Sequence, residues 1–588
     1  MKGTKHMNER WNLDILYTGL DDPSYEKDVA ALSAASDRLS ELVSAISSPL
    51  TAETAEQLLL AGENYTVLIS RLAIYLNLRI SVDTEDGAAK AQFARIMRID
   101  SQATAATAAV QKLLGSIEDP EALAASSPVV RDYLVLVRRA REDLSHLLSN
   151  EEEALAAAMD TTGGSAWGDL QTYLTSTVST DFDGKPATLT ELRNLAYSPD
   201  PTVRKAAYEA ELACYPKIQD SVAFALNNIK NQVIMLAEKR GFSSPLDQAL
   251  HASRMDRKTL DALMSAVEEY LPHFRRYLRK KAEKLGYSDG LPWYELFAPL
   301  GDSHRTFTTE EARDYLLECF RSLSPDIADV MRDAFDNAWI DFFPRSGKSG
   351  GAFDCGLPEF KQSRVMTNFD GTFGAVDTLA HELGHAFHDR QVQDHRPMNT
   401  DYPMPVAETA STFNEVHLGN FALAQASPEE KLALLESDLR ESTQCIMDIY
   451  SRYLFETAVF DRCQEQFLMA SDLNELMLDC QRKAYGDGLD SRFMNSGMWV
   501  CKSHYYSSGL SFYNFPYAFG NLFAVGLYAL YLEQPDTFMD RYKTMLRETP
   551  LHTMEENGAV MGIDLADRGF WLKSLDLLKK KIDAFCDL

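Results

Sequence analysis

Positive charge is scarce in this chain. Lysine and arginine number 58 against 87 aspartates and glutamates, a formal net charge of −29 over 588 residues. A basic footprint for nucleic acid is therefore absent, and an anionic membrane surface should repel the chain. Cysteine is sparse and scattered. The eight (Cys214, Cys319, Cys355, Cys445, Cys463, Cys480, Cys501 and Cys586) include no C-x-x-C pair, which in a chain of this length reads as free thiols in a reducing cytosol rather than a disulfide framework. Long apolar runs are missing too. The N-terminal MKGTKHMNERWNLDILY has no apolar signal core, and the longest apolar stretch, near Phe523 to Leu532, is too short to cross a bilayer. No fixed repeat period is evident, which sets aside a solenoid. Together these absences indicate a soluble, cytoplasmic globular protein.

What is present is mostly helical periodicity. Asp22-Pro23 suits a helix start, and Val29, Leu32, Leu39, Leu42, Val43 and Ile46 then recur at helical spacing. A second helix is expected from Thr51 to about Val82, and an alanine-rich one from about Ala88 to Ile117 after a turn at VDTEDG. Further helices are expected over Val129 to Leu148 and, capped by Asn150, over Glu151 to Met159. These should pack as antiparallel pairs.

In TSTVSTDFDGKPATL, β-formers flank Asp183-Gly184, a hairpin signal. A soft boundary is placed there, between an N-terminal helical lobe (1–185) and a catalytic region (186–588). Helices should resume at Thr190, at Ser198-Pro199-Asp200-Pro201 and over Ile218 to Lys239, with two more between Met255 and Leu285. Glycines then crowd into Ser346 to Gly356, and Ser363 to Phe369 reads as a strand. A small sheet is thus expected before the next helix. Its edge could hydrogen-bond an extended peptide, or it could be an ordinary covered hairpin.

That next helix, AVDTLAHELGHAFHDR (Ala375 to Arg390), carries the chemistry. His381-Glu382-Leu383-Gly384-His385 is an H-E-x-x-H arrangement in a chain with only 12 histidines. A step of four residues returns to nearly the same helix face, so two imidazoles can meet one metal while Glu382 reaches a water bound to it. Val376, Leu379, Ala380, Leu383, Ala386 and Phe387 make the helix look buried. Polar groups inside it need partners, and a zinc ion supplies one.

A catalytic zinc takes three protein ligands and leaves one position open. The positions that hold a glycine and a third histidine in the metzincin pattern hold His388 and Gln391 here, so that reading fails. A glutamate from a second helix is the other common solution. Glu408 and Glu415 lie seven apart on one face of Val406 to Leu423. Either could ligate, with the other orienting a histidine.

HELGHAFH (His381 to His388), ETASTFNE (Glu408 to Glu415), GKSGGAF (Gly347 to Phe353), WNLDILY and SPDPTVRKAAYEA together resemble the oligoendopeptidase F and thimet oligopeptidase family of zinc metallopeptidases, oligoendopeptidase F most of all. The resemblance spans nearly the whole chain. It implies that Glu408 is the third ligand of one zinc ion, leaving Glu415 beside a histidine. It also implies that the late segment KSHYYSSGLSFYNFPYAFG (Lys502 to Gly520) binds the transition state through His504, Tyr513 and Tyr517. Phe515 stands where oligoendopeptidase F members often carry a tyrosine, and Ser508-Gly509-Leu510 where thimet-type enzymes have Gly-Gly-Tyr. Tyr517 is taken as the oxyanion donor, with Tyr505 and Tyr506 as lesser candidates.

The expectation is a mainly α, two-lobed metallopeptidase with a small β-sheet beside the zinc helix and a deep substrate channel, the channel being implied by the resemblance alone. Its activity would be cleavage of internal bonds in short oligopeptides in the cytoplasm. Zinc would lower the pKa of its water to about 7, and Glu382 would take the proton and pass it to the departing amine. A dipeptidyl carboxypeptidase and a peptide-binding protein with a structural zinc are the competing readings. The intact Glu382 argues against the second.

Overall fold

The computed structural model describes residues 8–301 and 305–588. The polar segment Met1 to Met7, part of the N-terminus read above as lacking a signal core, lies outside the described residues. Helices dominate, and the strands among the described residues form two small sheets.

Local signals explain most helix starts. In α1 (Pro23–Ala45) the proline stands first and the Asp22 side chain accepts from the Ser24 N–H. Thr51 and Thr54 form a reciprocal capping box at the start of α2 (Ala52–Val82), and Asp86 caps α3 (Gly87–Gly115). The three helices pack on one another through Val29, Leu32, Leu39, Leu58, Leu72, Leu76 and Ile96, all buried. Two expectations need correcting. The stretch from Val129 to Leu148 is two short helices, Pro128–Asp132 and Leu134–Leu144. The cap of the helix Asn150–Thr162 is Ser149, whose hydroxyl accepts from Glu152 N–H while Glu152 reaches back.

The hairpin at Asp183-Gly184 is present. Strands β1 (Ser179–Phe182) and β2 (Lys185–Thr188) pair antiparallel, and both turn residues have positive φ, 53° and 76°, as a tight two-residue turn requires. Between Met255 and Leu285 a single helix, α4 (Arg257–Lys284), replaces the expected two, with Pro272 inside it. Its apolar stripe of Leu260, Leu263, Val267, Leu271, Phe274 and Leu278 continues across the proline and packs on the C-terminal helix Arg568–Asp587. Burial of that stripe outweighs one lost backbone hydrogen bond.

The second sheet has the order β3-β5-β4, with β3 (Ile340–Asp341) parallel and β4 (Phe353–Leu357) antiparallel to β5 (Gln362–Met366). The WNLDILY segment is pinned to it. Asn12 N–H donates to Ala338 O at 2.8 Å, the Arg364 guanidinium donates to Asn12 O at 2.7 Å, and the Trp11 and Phe353 rings meet at 6.3 Å. Lys348, from the glycine-rich run, is buried and donates to Asp341 O at 3.1 Å and Phe343 O at 3.0 Å, tying down the strand ends. On β4 and β5 lies α5 (Phe373–Val392), followed by α6 (Thr409–Gln425).

The chain divides into two compact units. The first comprises Met1–His146, His304–Leu418 and Pro535–Thr553; the second comprises Leu147–Ser303, Gly419–Gln534 and Met554–Leu588. These units cut the chain differently from a single division at 185/186. Helices α1–α3, β3–β5 and α5 share the first unit, and the core between α1–α3 includes Leu357 and Met366 of the sheet. The apolar stretch near Phe523 also runs further than the sequence suggested. It lies in α7 (Phe515–Glu533), a 19-residue helix long and apolar enough to span a membrane by length and composition, with 67% of it buried inside the protein. All eight cysteines are free thiols.

Candidate metal centre and active site

The helix α5 starts where its turn dictates. Asp370 accepts from Thr372 N–H at 3.0 Å and from its hydroxyl at 2.7 Å, Gly371 supplies φ of 83°, and Thr372 caps Ala375 N–H at 3.2 Å. From that start, His381 and His385 fall on one face with their Nε2 atoms 3.2 Å apart. Glu408 Oε2 lies 3.3 Å from each of them. Three donor atoms so spaced match the edge of a tetrahedron, about 3.3–3.4 Å for metal–ligand bonds of about 2.0–2.1 Å. The donors present therefore fit a tetrahedrally bound zinc.

Glu408 is set by a break between helices, at the C-cap of the single turn Met404–Ala407 just before α6. Ser411 donates to its Oε2 at 2.9 Å. Burial acts against its charge, yet hydrogen bonds with His381 and His385 hold the Glu408 carboxyl well below the ordinary range. It stays anionic, as a cation site needs. One turn pair along, Glu415 Oε1 sits 2.8 Å from His381 Nδ1. That contact places the ring proton on Nδ1 and turns the Nε2 lone pair toward the other donors. Before a cation binds, burial pulls the His381 pKa down but hydrogen bonds to Glu408 and Glu415 raise it to about 11, so a cation bound at Nε2 would take the place of the second ring proton.

Close approach of α5 and α6 makes this possible, and Gly384 permits it. A Cβ there would meet Ser411 Cα at 2.6 Å and Ala410 O at 2.7 Å. Asn414 Nδ2 also donates to Ala380 O at 3.0 Å across the same seam.

Glu382 is 6% exposed. Its pKa is raised, first by burial and further by Glu408, with His381 and His385 opposing. Behind it is an acidic pair that sequence reasoning missed. Asp354 is pushed well above the carboxylate range by burial, Asp389 and Glu382, and Asp389 is raised by burial. Tyr402 OH donates to Asp389 Oδ1 at 2.9 Å, and Ser363 donates to Asp354 Oδ2 at 3.3 Å. The two residues lie 35 positions apart, so no local pattern exposes the pair. His388 lies elsewhere in the first unit: its ring stacks on Tyr402 at 4.0 Å, its Nε2 meets Thr549 at 2.8 Å, and burial pushes its pKa down to about 3.

The second unit holds the late aromatic residues. His504 and Tyr513 stack at 5.8 Å, and the Tyr513 and Tyr517 hydroxyls are hydrogen-bonded. His504 Nε2 is buried without a partner among the described residues, and burial, with Arg452 and Lys502 nearby, pushes its pKa down to about 2. Tyr505 and Tyr506 are buried: the Tyr505 hydroxyl has no partner among the described residues, and the Tyr506 hydroxyl donates to Trp499 O at 3.0 Å.

Two imidazoles and a carboxylate converging on one point, with a second buried carboxylate beside them, make a group that could hold a metal ion. Comparison with known proteins carries this further. A family model described as Peptidase family M3 matches residues 194–577, and one described as Oligopeptidase F matches 116–179. Oligopeptidase PepF of Bacillus subtilis is 24% identical over 94% of this chain and 84% of its own length. Group B oligopeptidase PepB of Streptococcus agalactiae is 26% identical over 96% of each. Among solved structures, a candidate peptidase from Chlamydophila abortus superposes with a TM-score of 0.84 at 21% identity, covering 98% of each chain. Oligoendopeptidase-F from Enterococcus faecium gives 0.68 at 19% identity, covering 96% of this chain and 98% of its own. The chain belongs to peptidase family M3, in the oligoendopeptidase F group, and is a metalloendopeptidase.

Proposed function

We propose that this enzyme is a zinc-dependent oligopeptidase that cuts internal bonds of short peptides, with His381, His385 and Glu408 holding one zinc ion. The observation that carries the reading is the triangle of donor atoms, with edges of 3.2, 3.3 and 3.3 Å. The ion, when bound, supplies Lewis acidity and a source of hydroxide at neutral pH.

Glu382 is the proton carrier. Its burial and raised pKa suit a base that must also give the proton up. Extended substrate would run along β4, an edge strand of its sheet, with main-chain groups as partners. His504 and Tyr517 are the donors assigned to the oxyanion, with Tyr513 positioning Tyr517 through their shared hydrogen bond. A buried, unsatisfied His504 Nε2 supports a role beyond packing. Preference for short peptides follows the relatives named oligopeptidases. The acidic surface and the free thiols support a cytoplasmic location without nucleic-acid or membrane partners.

Digestion of a peptide ladder of graded lengths, with and without chelator and read by mass spectrometry, tests the reading. Chelator-sensitive internal cuts in short members are expected. Release of C-terminal dipeptides alone would replace the endopeptidase assignment.

A further inference from the structure

Within the second unit, the one that carries His504, a cavity of about 360 Å³ has a charge balance that the peptidase reading does not use. Its size falls in the range of about 300–1,000 Å³ typical of small-molecule sites. Four basic side chains line it, and three are matched. Arg193 donates to Glu211 Oε1 at 2.9 Å, Arg204 donates to Glu295 Oε2 at 2.9 Å, and Arg452 pairs with Asp448. The acid lining the cavity beside Arg193 is saturated as well, since Glu211 also accepts from Tyr215 OH and from Asn495 Nδ2.

Lys502 is the remainder. Among the described residues its ammonium makes no direct hydrogen bond or salt bridge; burial and Arg452 push its pKa down to about 8, with the charge of Asp448, already paired with Arg452, opposing them. Lys502 is half-buried, and an anion entering the cavity from outside could pair with its ammonium.

Two further features face the same space. Gln444 and Asp448 are the first and last residues of a π turn set between the helices Pro428–Thr443 and Ile449–Cys463, and both line the cavity. Such a widened turn is rare and is found frequently at functional sites. Tyr197, 59% exposed, stands on the wall with its ring 4.8 Å from that of Phe297. An aromatic pair, exposed Tyr197 and half-buried Phe297, beside a spare cation is complementary to a flat apolar group that carries a negative charge.

We propose that this cavity binds a small organic carboxylate, its charge paired with Lys502 and its flat apolar body against Tyr197 and Phe297, Gln444 supplying an amide contact. A free peptide C-terminus ending in an aromatic residue and a non-peptide aryl acid share this chemistry.

Calorimetric titration of the full-length, metal-loaded protein tests it, with 3-phenylpropionate against 3-phenylpropanamide, and with the dipeptide Ala-Phe against its C-terminal amide. At least one acid should bind about tenfold or more tightly than its amide, the range of a charge-assisted hydrogen bond. Preference confined to phenylpropionate identifies a non-peptide acid, and preference shown by Ala-Phe identifies a peptide terminus. Lys502→Met should abolish the preference and Lys502→Arg should keep most of it. Tyr197→Ala, an exposed position whose removal spares the core, should weaken acid and amide together. Equal binding of acids and amides overturns the proposal. So does a preference that survives Lys502→Met, or one that disappears with chelator while Lys502→Met leaves it intact, since the acid then sits on the metal.

Discussion

A methyl group on Gly384 would stand 2.6 Å from the Cα of Ser411. That near-contact sets the spacing of α5 and α6, and with it the reach of Glu408 and Glu415 to the two histidines. Gly384→Ala should therefore force the helices apart by a fraction of an ångström. Displacements of about 1 Å cost on the order of 10²-fold in turnover. Metal content and turnover measured on a folded Gly384→Ala preparation should both fall. Unchanged values would show that the seam does not set the site.

Glu415 reaches His381 Nδ1 at 2.8 Å and makes no claim on the metal position itself. Replacing such an outer partner typically weakens metal affinity about 10–100-fold. Glu415→Ala should show that loss in competition against a chromogenic chelator, with Glu415→Gln losing less because its amide can still orient the ring. An affinity equal to that of the unaltered chain would remove Glu415 from this role.

The Asp354–Asp389 pair makes a prediction about stability. Both carboxyls have raised folded-state pKa values, so the native state binds more protons than the unfolded chain once pH exceeds the ordinary carboxylate range. Stability contributed by such a pair is present at low pH and declines as pH rises toward the folded values. Asp354→Asn removes that dependence. Its melting temperature should lie above that of the unaltered protein at pH 7 to 8, by about 2–4 °C per kcal/mol gained, and the difference should shrink toward pH 4. A lower melting temperature at pH 8 would show instead that the pair is ionised and satisfied.

Much of the fold could be read from local chemistry. Asp22-Pro23, Thr51 and Asp183-Gly184 each act within a few residues, and each stands at the element boundary it suggested. The two helices expected between Met255 and Leu285 are one, because the long buried stripe on α4 continues across Pro272. Asn150 and Ser149 compete for one cap, and the serine wins because Glu152 lies three residues on to complete the box. The four-residue step from His381 to His385 made the paired imidazoles readable. What Gly384 touches, which glutamate faces Nε2 and which faces Nδ1, and the partnership of Asp354 with Asp389 depend on segments brought together only in the fold. The composition of the two units was hidden for the same reason, since the chain returns twice to the first.

The central claim is that three donors hold the ion while Glu382 moves the proton, and Glu382→Gln separates those duties. Zinc content and hydrolysis of a short peptide should be measured on the same preparation. The prediction is one zinc per chain retained, with turnover reduced by about 10²-fold or more, at the low end for a general base. Turnover within a few-fold of the unaltered enzyme, with zinc still bound, would contradict the account.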